Sequence, residues 1–381
     1  MATPIQSAPS VETLELQQEI VRLQALLETS RQVHSTIRLD EVLATVLRII
    51  VRELELPGAL STDPRMSYGE MPGEPWTGCF RFPLHDKEGQ HLTELVVATP
   101  EGRPLTIYEE DFLERIALQA GVAVENARYY DRSLEWARVQ QDLHAARAIQ
   151  RSLVPQQMPE IEGYSVAVRY SACYEVGGDC VDIISQPDGV QVMAVADVAG
   201  KGLASAIMST AFRSAFRASV GAGLPLPELV SRLNRQHCAE GDEARKRYVT
   251  GIFLKLDPNA HRLEVVNAGH NPGFLVRPDG STHELKASAT PIGILPIVEY
   301  RSEVADFPPG SRLLFYTDGL TEVFQGDEEF GTERLLASFL KCNSRECTAI
   351  LDTLWHELRS FAGDEPQQDD MTALALLRMS A

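Results

Sequence analysis

Four times in the C-terminal two-thirds of the chain an apolar run meets an aspartate set beside glycine or a second aspartate: Gly177-Gly178-Asp179, Val195-Ala196-Asp197, Tyr316-Thr317-Asp318-Gly319 and Asp369-Asp370-Met371-Thr372. Taken singly, each reads as a turn, because Asp-Gly is a common hairpin signal. Taken together they constrain the fold more than any other feature. An aspartate at the lip of a strand is held rigidly, and several such strands in one sheet can aim their carboxylates at a common point. Such a cluster repels itself unless cations neutralise it. Oxygen donors of this kind suit hard divalent ions, Mg²⁺ or Mn²⁺, rather than zinc. Two such ions roughly 3.5–4 Å apart share a water, lower its pKa and draw negative charge off a phosphoryl group under attack.

The segments around these acids alternate between two periods. From about residue 156 the chain is strand-rich, with runs at Tyr164–Tyr170, Val190–Ala196, Thr250–Leu256, Arg262–Val266, Gly273–Val276, Arg312–Phe315 and Thr372–Leu377. Helical patterns interleave at 203–219, 226–240, 332–341 and 347–362. The N-terminal third differs. Leu16, Ile20, Leu23 and Leu27 form a short heptad seam. A second amphipathic stretch carries Leu39, Leu43, Val46, Ile50 and Leu54, and Pro57-Gly58 ends it. Residues 58–104 read as a small antiparallel sheet around Cys79–Pro83 and Leu92–Ala98. Thr106-Ile107-Tyr108-Glu109 then has the form of a capping box, opening a helix whose apolar spacing holds up to Pro155. Some 45 residues at about 1.5 Å each span roughly 65 Å. One small domain cannot bury that length, so the second half is expected to connect domains or to dimerise.

Composition excludes several classes. A length of 381 residues calls for two or three domains, and a net charge of −19 argues against nucleic acid and against an anionic membrane as partners. The six cysteines are scattered without C-x-x-C pairs, which predicts free thiols in a reducing compartment. No apolar run reaches membrane-spanning length, and the start MATPIQSAPS lacks the order of a signal peptide, so a cytoplasmic location is expected. Phosphoaspartate, thiolate-loop, nucleophile-elbow and P-loop signatures are all missing. Gly200-Lys201-Gly202 reads as a tight strand-to-helix turn, or as a loop that brings amides or Lys201 to a phosphate. His270 reads as a turn histidine or as a general acid.

The order of motifs resembles the bacterial PPM-type serine phosphatases, and within them the SpoIIE/RsbU branch. It runs Ala148-Ile149-Gln150, Leu153-Val154-Pro155, Val176-Gly177-Gly178-Asp179, Val195 to Gly202, Asn267-Ala268-Gly269-His270, Thr317-Asp318-Gly319 with Glu322, and Asp369-Asp370-Met371-Thr372. The likeness covers about 146–379. It implies an α+β fold with a C-terminal α-β-β-α sandwich, two Mn²⁺ or Mg²⁺ ions, and hydrolysis of phosphoserine or phosphothreonine. By position, Asp179, Asp197, Asp318 and Asp369 are the implied catalytic metal ligands, joined by the carbonyl of Val198, with Asp197 bridging both ions. Asp182 and Asp370 rank below them, as supporting or alternative ligands. Cys180-Val181 and Ala199 depart from the family pattern without removing a carboxylate. Arg103-Pro104-Leu105-Thr106 through Ala120, Val124 and Arg128 resembles the closing helix of a GAF sensor, an α/β domain.

These likenesses imply a coiled-coil-like start at 1–30, a GAF-like domain at 31–130, a long connecting helix whose linker part is 131–155, and a phosphatase domain at 156–381. The implied substrate is a phosphorylated anti-sigma-factor antagonist with a STAS domain, in a partner-switching pathway. A homodimer through the N-terminal and linker helices is expected. The alternatives are a catalytically silent scaffold and a dimeric ligand sensor.

Overall fold

The computed structural model describes residues 27–28, 30–60, 66–71, 78–342 and 344–380. Most of the heptad seam therefore lies outside the described residues. The chain divides into two compact units, Met1–Gln140 and Gln141–Ala381.

In the N-terminal unit, helix α1 (Leu39–Leu54) buries Val42, Leu43, Val46, Leu47, Ile49 and Ile50 on one face. It ends where Glu55 takes a left-handed conformation, just before Pro57-Gly58. Four antiparallel strands follow: β1 (Gly58–Leu60), β2 (Met66–Tyr68), β3 (Phe80–His85) and β4 (His91–Val97), in the order β2-β1-β4-β3. Helix α2 (Ile107–Leu153) starts on the capping box. The Glu109 amide donates to Thr106 Oγ1 at 3.2 Å, and the Thr106 amide donates to Glu109 Oε2 at 2.7 Å. Arg103 adds a two-pronged pair at 2.9 and 2.6 Å. The side chains of α2 that are buried all lie between Glu109 and Ala127. Beyond that point Tyr129, Leu134, Trp136, Val139 and Ile149 are exposed.

The C-terminal unit is a four-layer sandwich. One sheet has the order β11-β10-β13-β16-β5 and the other β12-β9-β8-β7-β6, every pair antiparallel. Their strands are β5 (Tyr164–Ser171), β6 (Cys180–Ser185), β7 (Gln191–Val198), β8 (Val249–Asp257), β9 (Arg262–Ala268), β10 (Gly273–Val276), β11 (Thr282–Leu285), β12 (Glu303–Asp306), β13 (Arg312–Tyr316) and β16 (Met371–Arg378). A small hairpin, β14 (Phe324–Gln325) and β15 (Glu328–Glu329), stands apart.

Alternation along β7 shows how the layers arise. Met193 and Val195 point into the core between the sheets, while Val192, Ala194 and Ala196 point outward. The outward face packs on α3 (Leu203–Val220) and α4 (Leu226–Cys238). The outer face of the other sheet packs on α6 (Gly331–Lys341) and α7 (Cys347–Ala362), through Phe339, Leu351 and Trp355. A single-turn helix, α5 (Asp242–Arg245), precedes β8. No helix among the described residues is long and apolar enough to cross a membrane, and all six cysteines are free.

Candidate metal centre

Antiparallel pairing brings the acids together. Asp179 stands immediately before β6 and Asp197 near the end of β7, the strand paired with it. Asp318 follows the end of β13, and Asp369 and Asp370 stand just before β16, again a paired strand. The start of one strand and the end of its antiparallel neighbour share a sheet end, so all five acids collect at one end of the sandwich.

Their surroundings divide them. Asp179 is buried, and its Oδ2 accepts hydrogen bonds from the hydroxyls of Thr317, at 2.8 Å, and Thr372. Burial, with the charges of Asp197 and Asp370, nevertheless raises its pKa well above the carboxylate range. Burial and the charge of Asp318 push Asp197 up to about 7. Burial and Asp369 raise Asp318, and burial and Asp318 raise Glu322. Asp369 has a cation instead: Lys201 Nζ lies 2.8 Å from its Oδ2 and donates to the Gln368 carbonyl at 2.7 Å. Gly200 and Gly202, both with positive φ, shape the loop that presents Lys201.

Asp370 faces the loop before β6. It accepts the amides of Cys173 at 2.8 Å and Gly178 at 2.6 Å. From the last turn of α2, Gln150 grips the same loop, donating to the Gly177 carbonyl at 2.7 Å and accepting its amide at 3.0 Å. No side chain fits there: a Cβ on Gly177 would lie 2.3 Å from Asp370 Oδ2, and one on Gly178 would lie 2.9 Å from the Val198 carbonyl oxygen. Val198 thus turns its carbonyl towards the loop that carries Asp179.

Two candidates sit elsewhere. Asp182, considered above as a supporting ligand, is fully buried on the helix-facing side of β6. Arg217 takes it with two bonds at 2.5 and 2.8 Å. Arg213 Nε lies 3.1 Å away, near enough for its charge but not aligned as a donor. With both arginines on α3, Asp182 anchors that helix to the sheet and is not available to a metal. His270 lies in the turn between β9 and β10 with its ring buried. Burial lowers its pKa to about 4, so the ring is neutral. Nε2–H donates to the Tyr316 carbonyl at 3.0 Å and Nδ1 accepts from Thr250 Oγ1 at 2.8 Å, which leaves neither nitrogen free for acid catalysis. Thr317, Thr372, Glu322 and Gln150 were visible only as neighbours within motifs; their contacts to the cluster come from the tertiary structure.

The donor set fits hard divalent cations: buried and half-buried oxygen donors, among which Asp179, Asp197 and Asp318 have raised pKa values, and no imidazole or thiolate among them. The fit is one of chemistry. Among the described residues, no three histidine, cysteine or acidic side chains already converge into a closed metal cage. Bare carboxylates repel, and Thr317, Thr372 and Lys201 meanwhile hold two of them.

The family model "Stage II sporulation protein E (SpoIIE)" matches residues 187–378, half of the chain. Protein IcfG of Synechocystis is 25% identical over 262 residues, covering 62% of this chain and 41% of that protein. Phosphoserine phosphatase RsbP of Bacillus subtilis is 28% identical over 187 residues, covering 48% of this chain and 45% of that protein. The chain thus spans less than half the length of these two relatives. Among solved structures, the SiaA PP2C domain of Pseudomonas aeruginosa superposes with a TM-score of 0.58 at 21% identity, over 65% of this chain and 99% of that one. Its likeness establishes the fold. By the family match and by its sandwich, the chain belongs to the SpoIIE family, on the SpoIIE/RsbU-like branch of the PPM phosphatases.

Proposed function

We propose that the protein is a cytoplasmic, metal-dependent protein serine/threonine phosphatase acting on a phosphorylated regulatory protein, an anti-sigma-factor antagonist with a STAS domain. The observation that carries this is the gathering of mutually destabilised carboxylates at one end of a PP2C-type sandwich. Asp179, Asp197, Asp318 and Asp369, with the Val198 carbonyl, would hold two Mn²⁺ or Mg²⁺ ions. Bound there, the ions supply an activated water and neutralise charge on the phosphoryl group.

The chain's own residues do the rest. Thr317 and Thr372 fix the Asp179 carboxylate, and Asp370 fixes the loop that carries it. Lys201, on an exposed loop, is the cation that can turn from Asp369 to a substrate phosphate. His270, locked neutral, braces β13 ahead of Asp318.

We assign residues 1–30 to a coiled-coil-like start, 31–130 to a GAF-like sensor, 131–155 to a linker helix and 156–381 to the phosphatase. The exposed apolar residues from Tyr129 to Ile149 support a homodimer paired through α2. A change of twist or register in the paired helices would then reach the site through Gln150, Gly177 and Gly178 to Val198, and so alter metal occupancy. Deleting residues 1–105 should change rate or metal affinity; if both stay the same, the regulatory reading fails. Phosphate release from a phosphorylated STAS protein with Mn²⁺, for wild type and Asp197→Asn, tests the enzyme itself. Equal release from both would sink the metal mechanism, and no release from either would leave a silent scaffold or a ligand sensor.

A further inference from the structure

Beside the acids the C-terminal unit opens a cleft of about 290 Å³. Its floor is apolar, made by Phe324 of β14, Trp355 and Leu358 of α7, and Met371 at the start of β16. The floor is also preformed. Trp355 and Leu358 belong to the core beneath it, and the Arg169 guanidinium lies 5.0 Å from the Trp355 ring centre.

One wall is shared with the metal centre. Gly319 lines the cleft and directly follows Asp318, and a Cβ there would come within 2.0 Å of the Asp370 carbonyl oxygen. Gln368, on the same lining, directly precedes Asp369. A polypeptide that lays a phosphorylated side chain over Asp318 and Asp369 can therefore bring its neighbouring residues to this opening. Arg359 and Glu365 are the charged residues of the lining and opposite in sign, so the lining carries no net charge. The volume lies just under the roughly 300–1,000 Å³ of small-ligand pockets and suits one large side chain.

Resting on the phosphatase reading, we propose that this cleft takes an apolar side chain of the substrate, within about three residues of its phosphoserine, and so sets specificity. The probes are synthetic phosphoserine peptides that differ at one flanking position, leucine against aspartate, alongside p-nitrophenyl phosphate, which carries no flanking residue. At one flanking position leucine should raise kcat/KM by roughly tenfold to a hundredfold, the effect of burying one large apolar side chain. Ala362→Trp, on the cleft wall at the half-exposed end of α7, should erase that preference and leave p-nitrophenyl phosphate hydrolysis within about twofold. No preference at any position, or a preference that survives Ala362→Trp, would overturn the proposal.

If wild type hydrolyses none of these compounds with Mn²⁺, the catalytic reading has failed. The cleft is then judged by binding of the labelled leucine peptide, which Ala362→Trp should weaken at least tenfold; equal binding would overturn it.

Discussion

Asp179 and Asp182 stand three residues apart in the chain and meet opposite surroundings. Asp182 points to the helix side of β6, where Arg213 and Arg217 bring two positive charges to one carboxylate. Asp179 stands just before the strand among Asp197, Asp318, Asp369 and Asp370, and the hydroxyls of Thr317 and Thr372 are its nearest support. Among the described residues, Lys201 is the cation that pairs with this second group, and it pairs with Asp369. Where a buried acid is neutralised by the protein itself, its role is to hold elements together. Where several are buried or half-buried side by side and left short of positive charge, the fold carries a cost that a proton or a bound cation would relieve.

The contrast can be broken at either end. The largest effect is expected from Asp197→Asn, which should lower kcat/KM by about a thousandfold, or ~4 kcal/mol. The same variant should unfold at a higher temperature than wild type in a chelator, because it removes one of the repelling charges. Calorimetry that found it less stable there would contradict the comparison. Next, Asp182→Ala should cost about 3 kcal/mol in urea unfolding, at the lower end for a broken buried pair because half-exposed Arg217 can turn to water. The protein that remains folded should keep its kcat.

A smaller effect concerns pH. With the folded-state pKa of Asp197 near 7, above its ordinary 3.8, the native state holds an extra proton between those values. Stability in a chelator should therefore fall as pH rises from about 4 to about 7, and Mn²⁺ should flatten the profile. A flat profile in the chelator itself would mean that the acids do not destabilise one another. Smallest is Glu109, whose bonds to Arg103 and to the Thr106 amide lower its pKa to about 2. Its contribution is present above the ordinary value of 4.5 and is lost as pH falls towards about 2. Glu109→Ala should cost about 1 kcal/mol at neutral pH, with the difference from wild type vanishing in acid.

Much of this architecture was legible. The strand read at Gly273–Val276 is found with those bounds, and the helices read at 203–219 and 347–362 appear as Leu203–Val220 and Cys347–Ala362. The helices have a clear apolar period, and the strand is an unbroken apolar run. The strands that escaped notice lack one. In β12 the sequence Glu303-Val304-Ala305-Asp306 lies on a sheet edge, paired on one side only, with little apolar burial to write into its sequence. Cys180–Ser185 carries the charged Asp182 on its helix-facing side, beside Cys180, and so reads poorly as a strand until α3 covers it.

The chain alone determined which residues alternate at period two or recur at helical spacing, where the capping box begins α2, and in what order the acids follow one another. These are local properties, set by side-chain chemistry and by neighbours along the chain. It could not separate Asp182 and Asp370 from their neighbours, nor find a partner for Lys201 or His270. Those depend on which face of β6 meets α3, and on β13 and β16 running antiparallel so that Asp318 and Asp369 share an end. Only folding brings distant charges near enough to neutralise or to repel one another, and that decides which acid anchors a helix and which stand together short of positive charge.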